Sequence, residues 1–257
     1  MVKALAGRNA GLEERDAYLG RSCRGFGVPI LDSLLPDGVP VPYSLLIAAD
    51  AGSGSEFLSY EMLRSHLANG PKAKVLWLSL DNFVGNLHAR MDNVVKLSED
   101  QIEFIDCYSS QIGVNSAERY NADPSNLPCL GVVTSTAISE MGNDCSLLVI
   151  LDSLTSLVQK VGLRRSTEFL KVLVAKTRSI NANLLTTLNT LAFSERTLAT
   201  YVDIADVVLE LTISDDVDSM SKLRLRKARN VKHAKSWFQY EIDFDHNTLR
   251  FDIMKTI

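Results

Sequence analysis

Apolar residues follow two rhythms along this chain, and the points where one gives way to the other mark its elements. "SLLIA" at 44–48 is a short continuous apolar run, which predicts a buried strand. From Ser55 the period changes: Phe57, Leu58, Met62, Leu63 and Leu67 recur at helical spacing, Ser55 stands as N-cap and Gly70-Pro71 as a stop signal. "KVLWLSLDN", "IEFIDCYSS" and "SLLVILDS" read as further strands, the last of the kind covered on both faces. Helical stretches over 84–95, 129–142 and 164–180 separate them. Strands alternating with helices predict an α/β fold with a mostly parallel central sheet covered by helices. After "NLLTTLN" at 183–189 the alternation is expected to end. "ADVVLELTI", "KLRLRKARN", "WFQYEIDF" and "TLRFDI" then read as antiparallel strands closing one edge.

Ahead of this core, "GVPILDSLLPDGVP" holds a short apolar helical turn between Pro29 and the Pro36-Asp37-Gly38 breaker. Residues 1–22 are mixed and charged and read as an N-terminal extension, which leaves residues 23–257 as one domain. A length of 257 residues and a 46% hydrophobic content suit one substantial core. "NADPSNLP" at 121–128 is the clearest mobile loop the sequence offers.

Charge narrows the partners. A net charge of -4 gives no global drive toward nucleic acid or an anionic membrane, so any such contact must be local. Cys23, Cys107, Cys129 and Cys145 lie far apart, without the paired spacing of a zinc or redox site, and read as thiols in a reducing cytosol. The four histidines show no metal-ligand spacing either. The first residues lack the sustained apolar segment of a leader, and no apolar run reaches the roughly 18 residues that span a bilayer. A soluble cytoplasmic protein is expected.

The candidate chemistry sits where the first core strand turns into its helix. "AADAGSGSEFL" at 48–58 has the outline of a phosphate loop, G-x-x-x-x-G-K-[ST], whose backbone N–H groups cradle phosphates while lysine neutralises them and a hydroxyl holds magnesium. Gly52, Ser53 and Gly54 keep the turn, but Ala49 replaces the first glycine, Ser55 the lysine and Glu56 the hydroxyl. A charge pair about 4 Å apart is worth on the order of 4 kcal/mol at an effective dielectric near 20, before desolvation and screening. Ser55 forfeits that attraction, and Glu56 repels phosphate unless a cation compensates it. Tight, self-sufficient ATP binding is therefore not expected. In the plainer alternative, Glu56 supplies from within the chain the anion that a helix N-terminus favours.

Two further acids lie at strand ends, where ligands gather in open α/β sheets. Asp152, closing "LLVILDS", stands where a nucleotide hydrolase holds magnesium through a water, or caps the next helix together with Ser153. Asp81 either orients an attacking water or caps its own following helix.

In this order the motifs resemble those of the RecA-like ATPases, and within them the KaiC- and RadA-related branch widespread in archaea. "GVPILDSLLPDGVP" is similar to that branch's opening, "SLLIAADAGSGSEFL" to its loop frame, "VLWLSLDN" to the strand ending in a pair of glutamates, and "LLVILDSLTSL" to its second nucleotide motif. The resemblance runs from Gly27 to Phe251. It implies a RecA-like domain and assembly into a ring or filament. The departures imply lost hydrolysis: Asp81 and Asn82 replace the glutamate pair, Ser55 and Glu56 the loop residues, and only Asp152 stands unaltered. In that branch a late strand also carries a Lys-x-Arg that reaches the neighbouring subunit's γ-phosphate, and "LRLRKARN" puts Lys227 and Arg229 there. The plainer alternative is that these cations blunt an edge strand.

Three functions follow as expectations. The first is a non-hydrolysing scaffold or regulatory subunit, in a homo-oligomer or beside a paralogous RecA/KaiC-like subunit, with Lys227 and Arg229 as a finger offered in trans. It requires no cofactor, weak ATP with magnesium being the most its loop would hold. The second is an unconventional ATPase or autokinase with Asp81 as base and Asp152 on magnesium. The third is a single-stranded-DNA-binding accessory with "NTLAFSERTLAT" at 189–200 as a pore loop, ranked last because the chain is acidic.

Overall fold

Apolar runs bounded by turn formers become strands of one ten-stranded sheet, since a strand packed on both faces has no polar side to show. The computed structural model describes residues 22–92, 99–142, 144–213, 221–243 and 250–256. In chain order the elements are β1 (Cys23–Arg24), α1 (Pro29–Leu34), β2 (Val39–Pro40), β3 (Ser44–Ala49), α2 (Ser55–Leu67), β4 (Ala73–Ser79), α3 (Val84–Asp92), β5 (Ile102–Asp106), α4 (Tyr108–Gln111) and β6 (Tyr120–Asn121). There follow α5 (Leu127–Met141), β7 (Ser146–Asp152), α6 (Leu154–Ser179), β8 (Asn183–Asn189), α7 (Glu195–Ile204), β9 (Val207–Ile213), β10 (Ser221–Ala228), β11 (Phe238–Asp243) and β12 (Arg250–Thr256).

The large sheet runs β12-β11-β10-β9-β3-β8-β7-β4-β5-β6. From β9 to β6 every pairing is parallel. From β9 to β12 every pairing is antiparallel. Side chains alternate across β3, with Leu45, Ile47 and Ala49 in the core under α1, α2 and α3, and Leu46 and Ala48 in the core under α5, α6 and α7. This is the expected α/β architecture with antiparallel strands at one edge. Among the described residues no helix is long and apolar enough to cross a membrane.

One expectation is overturned. The alternation does not end at Asn189: a single 3-10 turn leads into α7, and β9 runs parallel to β3, with Leu45 opposite Val207. "ADVVLELTI" is thus antiparallel on one side only. The segment 189–200 expected as a pore loop is largely turn and helix, because Ser194 Oγ caps the Thr197 N–H and Tyr201 is wholly buried with its hydroxyl 2.7 Å from Ser166 Oγ.

Helix ends differ in smaller ways. α6 begins ten residues before the expected 164, and Gly162 breaks it with a φ of 80°. α5 starts earlier than expected because Asn126 caps the Cys129 N–H and Pro128 fits the first turn. The expected mobile loop ahead of it is a hydrogen-bonded turn in which the Asp123 carboxylate accepts from the Ser125 N–H and hydroxyl. The tail of the helix expected at 84–95, most of the extension at 1–22 and the first residues of "TLRFDI" lie outside the described residues.

Candidate functional site

The phosphate-loop frame is built, and it is held by protein rather than by a ligand. Gly52 and Gly54 sit at φ 83° and 84°, in the left-handed region that favours glycine. A Cβ on Gly54 would collide with Ile242 Cδ1 of β11. Ser53 is fully buried, with its N–H and hydroxyl donating to the Asp50 carbonyl at 3.1 and 2.7 Å, and its own carbonyl accepts from the Tyr240 hydroxyl. Asp50 accepts from the hydroxyls of Thr190 and Thr212. The antiparallel edge and the last parallel strand therefore clamp the loop from the side.

Glu56, in the first turn of α2, is answered by a cation of its own chain. Arg90 of α3 donates to Glu56 Oε1 at 2.5 Å and the Tyr60 hydroxyl donates to the same oxygen at 2.7 Å. Burial and the neighbouring Glu56 carboxylate raise the Tyr60 phenol well above its ordinary value. Arg90 was invisible to motif reading, because it lies 34 residues from Glu56 and only the fold brings them together.

A cavity of about 270 Å³ opens at the carboxyl ends of β3, β4, β7 and β8, with Asp50, Ser55, Asp81, Asp152, Ser156 and Thr187 in its wall. Three of these are carboxylates, and among the described residues no lysine or arginine lines it. Asp152 accepts from Thr187 Oγ1 at 2.9 Å, and burial, reinforced by the charges of Asp81 and Glu56, pushes its carboxyl up to about 7. The cap of α6 is Ser153, whose hydroxyl accepts from the Ser156 N–H at 3.3 Å. Asp81 accepts from the Ser156 hydroxyl. Asn82 offers its carbonyl to Ser79 Oγ at 2.6 Å. The loop residues, Asp81 and Asp152 thus converge as the sequence implies.

Lys227 and Arg229 lie elsewhere. β10 returns antiparallel to β9, so its last residues reach the amino ends of the parallel strands, opposite the loop. A β-bulge between Leu225 and Lys227 breaks the alternation that buries Leu223 and Leu225 and re-aims Lys227. Its ammonium donates to the carbonyls of Val202 and Asp203 at 2.7 and 3.0 Å, and Arg229 Nη2 to the Asp203 carbonyl at 3.2 Å. Both cations close the C-terminal turn of α7, where the helix dipole favours positive charge. Burial, and then the charge of Arg229, lower the Lys227 pKa.

A mostly parallel sheet sandwiched by helices, with a glycine loop at the carboxyl end of its central strand and an acid two strands away, is the architecture of a RecA-like fold. Residues 44–211 match a family of unknown function (DUF7504), and the chain belongs to it. The match runs from β3 into β9 and so spans the parallel core and every residue of the acidic cavity. The fold is similar to that of the KaiC-like protein PH0186 from the hyperthermophilic archaeon Pyrococcus horikoshii OT3, with a TM-score of 0.70 and 17% identity over 90% of this chain and 99% of that one. No curated protein matches the chain.

Proposed function

We propose that this RecA-like domain does not hydrolyse nucleotide and acts as a scaffold or regulatory subunit, in an oligomer of its own copies or beside a related RecA/KaiC-like subunit. The observation that carries this reading is the charge of the cavity at the strand ends: Asp50, Asp81 and Asp152 line it, and among the described residues no basic side chain does. A magnesium-bound triphosphate is still a net anion, and Arg90 is already engaged by Glu56. The donor set therefore does not fit ATP with magnesium. Ser53, Tyr240, Asp50 and Thr212 support the loop without a phosphate, which suits a subunit used for its shape. In this reading Lys227 and Arg229 hold α7, and a finger in trans would have to release those carbonyls first.

One observation favours the second reading, an unconventional ATPase: Asp152 keeps its strand-end place with a hydroxyl on it, and Arg90 brings a cation to the loop helix. Phosphate release from ATP with magnesium, measured on the purified chain, separates the two. The scaffold reading expects release no greater than the protein-free blank. Release that Asp152→Asn abolishes would overturn it.

A further inference from the structure

The parallel strands have an amino end as well as a carboxyl end, and cations gather at the amino end. α6 and α7 both finish there, each leading into the next strand, and β10 returns to it. Between them lies a cleft of about 460 Å³ whose wall includes Lys171, Arg178, Arg229, Thr200, Asp203 and Ala175. Behind it, the buried Asp206 accepts from Arg178 Nη2 at 2.7 Å through both oxygens and lies 3.6 Å from Arg229 Nε. Among the described residues, two carboxylates, Asp203 and Asp206, thus stand with three cations of the cleft wall, Lys171, Arg178 and Arg229, and with Lys227 behind them. The carbonyls ending α7, which would repel an anion, are covered by Lys227 and Arg229.

Donors are left over. Arg178 Nε is buried without a hydrogen-bond partner. Lys171 is exposed, and among the described residues it makes no hydrogen bond or ion pair. A buried donor without an acceptor is costly, and with Nη2 given to Asp206 the remaining guanidinium N–H and the Lys171 ammonium are donors that phosphate or carboxylate oxygens would satisfy. The volume lies within the usual range of about 300–1,000 Å³ for small-molecule sites. We propose that this cleft binds a multivalent oxyanion, the phosphate or carboxylate groups of a small molecule, at the edge of the sheet opposite the degenerate loop. The site takes its anion where the cations are in surplus, independently of the acidic cavity.

The test is calorimetric titration of the full chain in low-salt buffer with pyrophosphate and, in parallel, with citrate. Binding by at least one, with a Kd below about 1 mM, is expected, and the tighter probe tells phosphate from carboxylate as the source. Ala175→Glu, which puts a carboxylate on an exposed helical position of the cleft wall, abolishes it. Lys171→Gln, also exposed, weakens it about fivefold, while Lys222→Gln, at the far end of β10 opposite Thr212, leaves it unchanged. No binding of either probe, or binding indifferent to both cleft variants, overturns the proposal. A loss of the same size in Lys222→Gln does so too, since it would mark general charge attraction.

Discussion

Asp152 closes β7 with Thr187 donating to it, in a wall it shares with two other carboxylates. Its folded pKa of about 7 lies above the ordinary carboxylate value near 3.8, so the folded chain holds this proton more tightly than the unfolded chain. The stabilisation is therefore complete below about pH 4 and is lost as the pH rises through about 7. Asp152→Asn keeps an acceptor for Thr187 and removes the charge. The variant is expected to gain up to about 4 kcal/mol over the native chain near pH 8 and almost nothing near pH 4. Urea melts at the two pH values check this, and an equal difference at both would contradict it. At this scale the sequence was legible where spacing alone places a residue: Ser55, Asp81 and Asp152 all line one cavity by counting from a glycine or a strand end. Arg90 was not legible, because its partnership with Glu56 depends on how α3 packs beside α2.

At the level of elements, the loop depends on a backbone that only glycine adopts cheaply and on a strand that presses against it. Gly54→Ala combines a left-handed φ with a collision against Ile242, so a loss of about 2–4 kcal/mol is expected in a urea melt. A loss under about 1 kcal/mol would mean that β11 does not clamp the loop. Lys227 belongs to α7. Lys227→Met removes the ammonium from the Val202 and Asp203 carbonyls while keeping the stem, and is expected to cost about 1 kcal/mol and to speed amide exchange in the last turn of α7. Unchanged exchange there would leave the cation free for another role. α7 itself was within reach of the sequence, since Ser194 followed by Glu195 is a helix-start signal, but the apolar periodicity is thin and Tyr201 is its one buried residue. The bulge that turns Lys227 toward α7 does leave a signal: "KLRLRKARN" alternates only as far as Arg226, and the two cations in succession at Arg226-Lys227 mark where the pairing with β9 shifts.

For the whole molecule, a long βα alternation and continuous apolar runs made the fold class readable, because parallel strands buried on both faces admit few other arrangements. Function was less so. Membership of a family of unknown function and a 17% identical KaiC-like neighbour fix the architecture, and the charge of two clefts at opposite edges of one sheet carries the rest. The carboxyl edge has gathered carboxylates where a nucleotide fold needs a cation, and the amino edge has a surplus of cations. The most direct test of the central claim is a calorimetric titration of the purified chain with ATP and magnesium, with a light-scattering mass on the same sample to count subunits. The account predicts no binding of ATP at the loop of the native chain, while the mass tells an oligomer of its own copies from a single 28.4 kDa chain that pairs with another subunit. Micromolar binding by the native chain, weakened by Asp152→Asn and indifferent to Ala175→Glu in the opposite cleft, would contradict it.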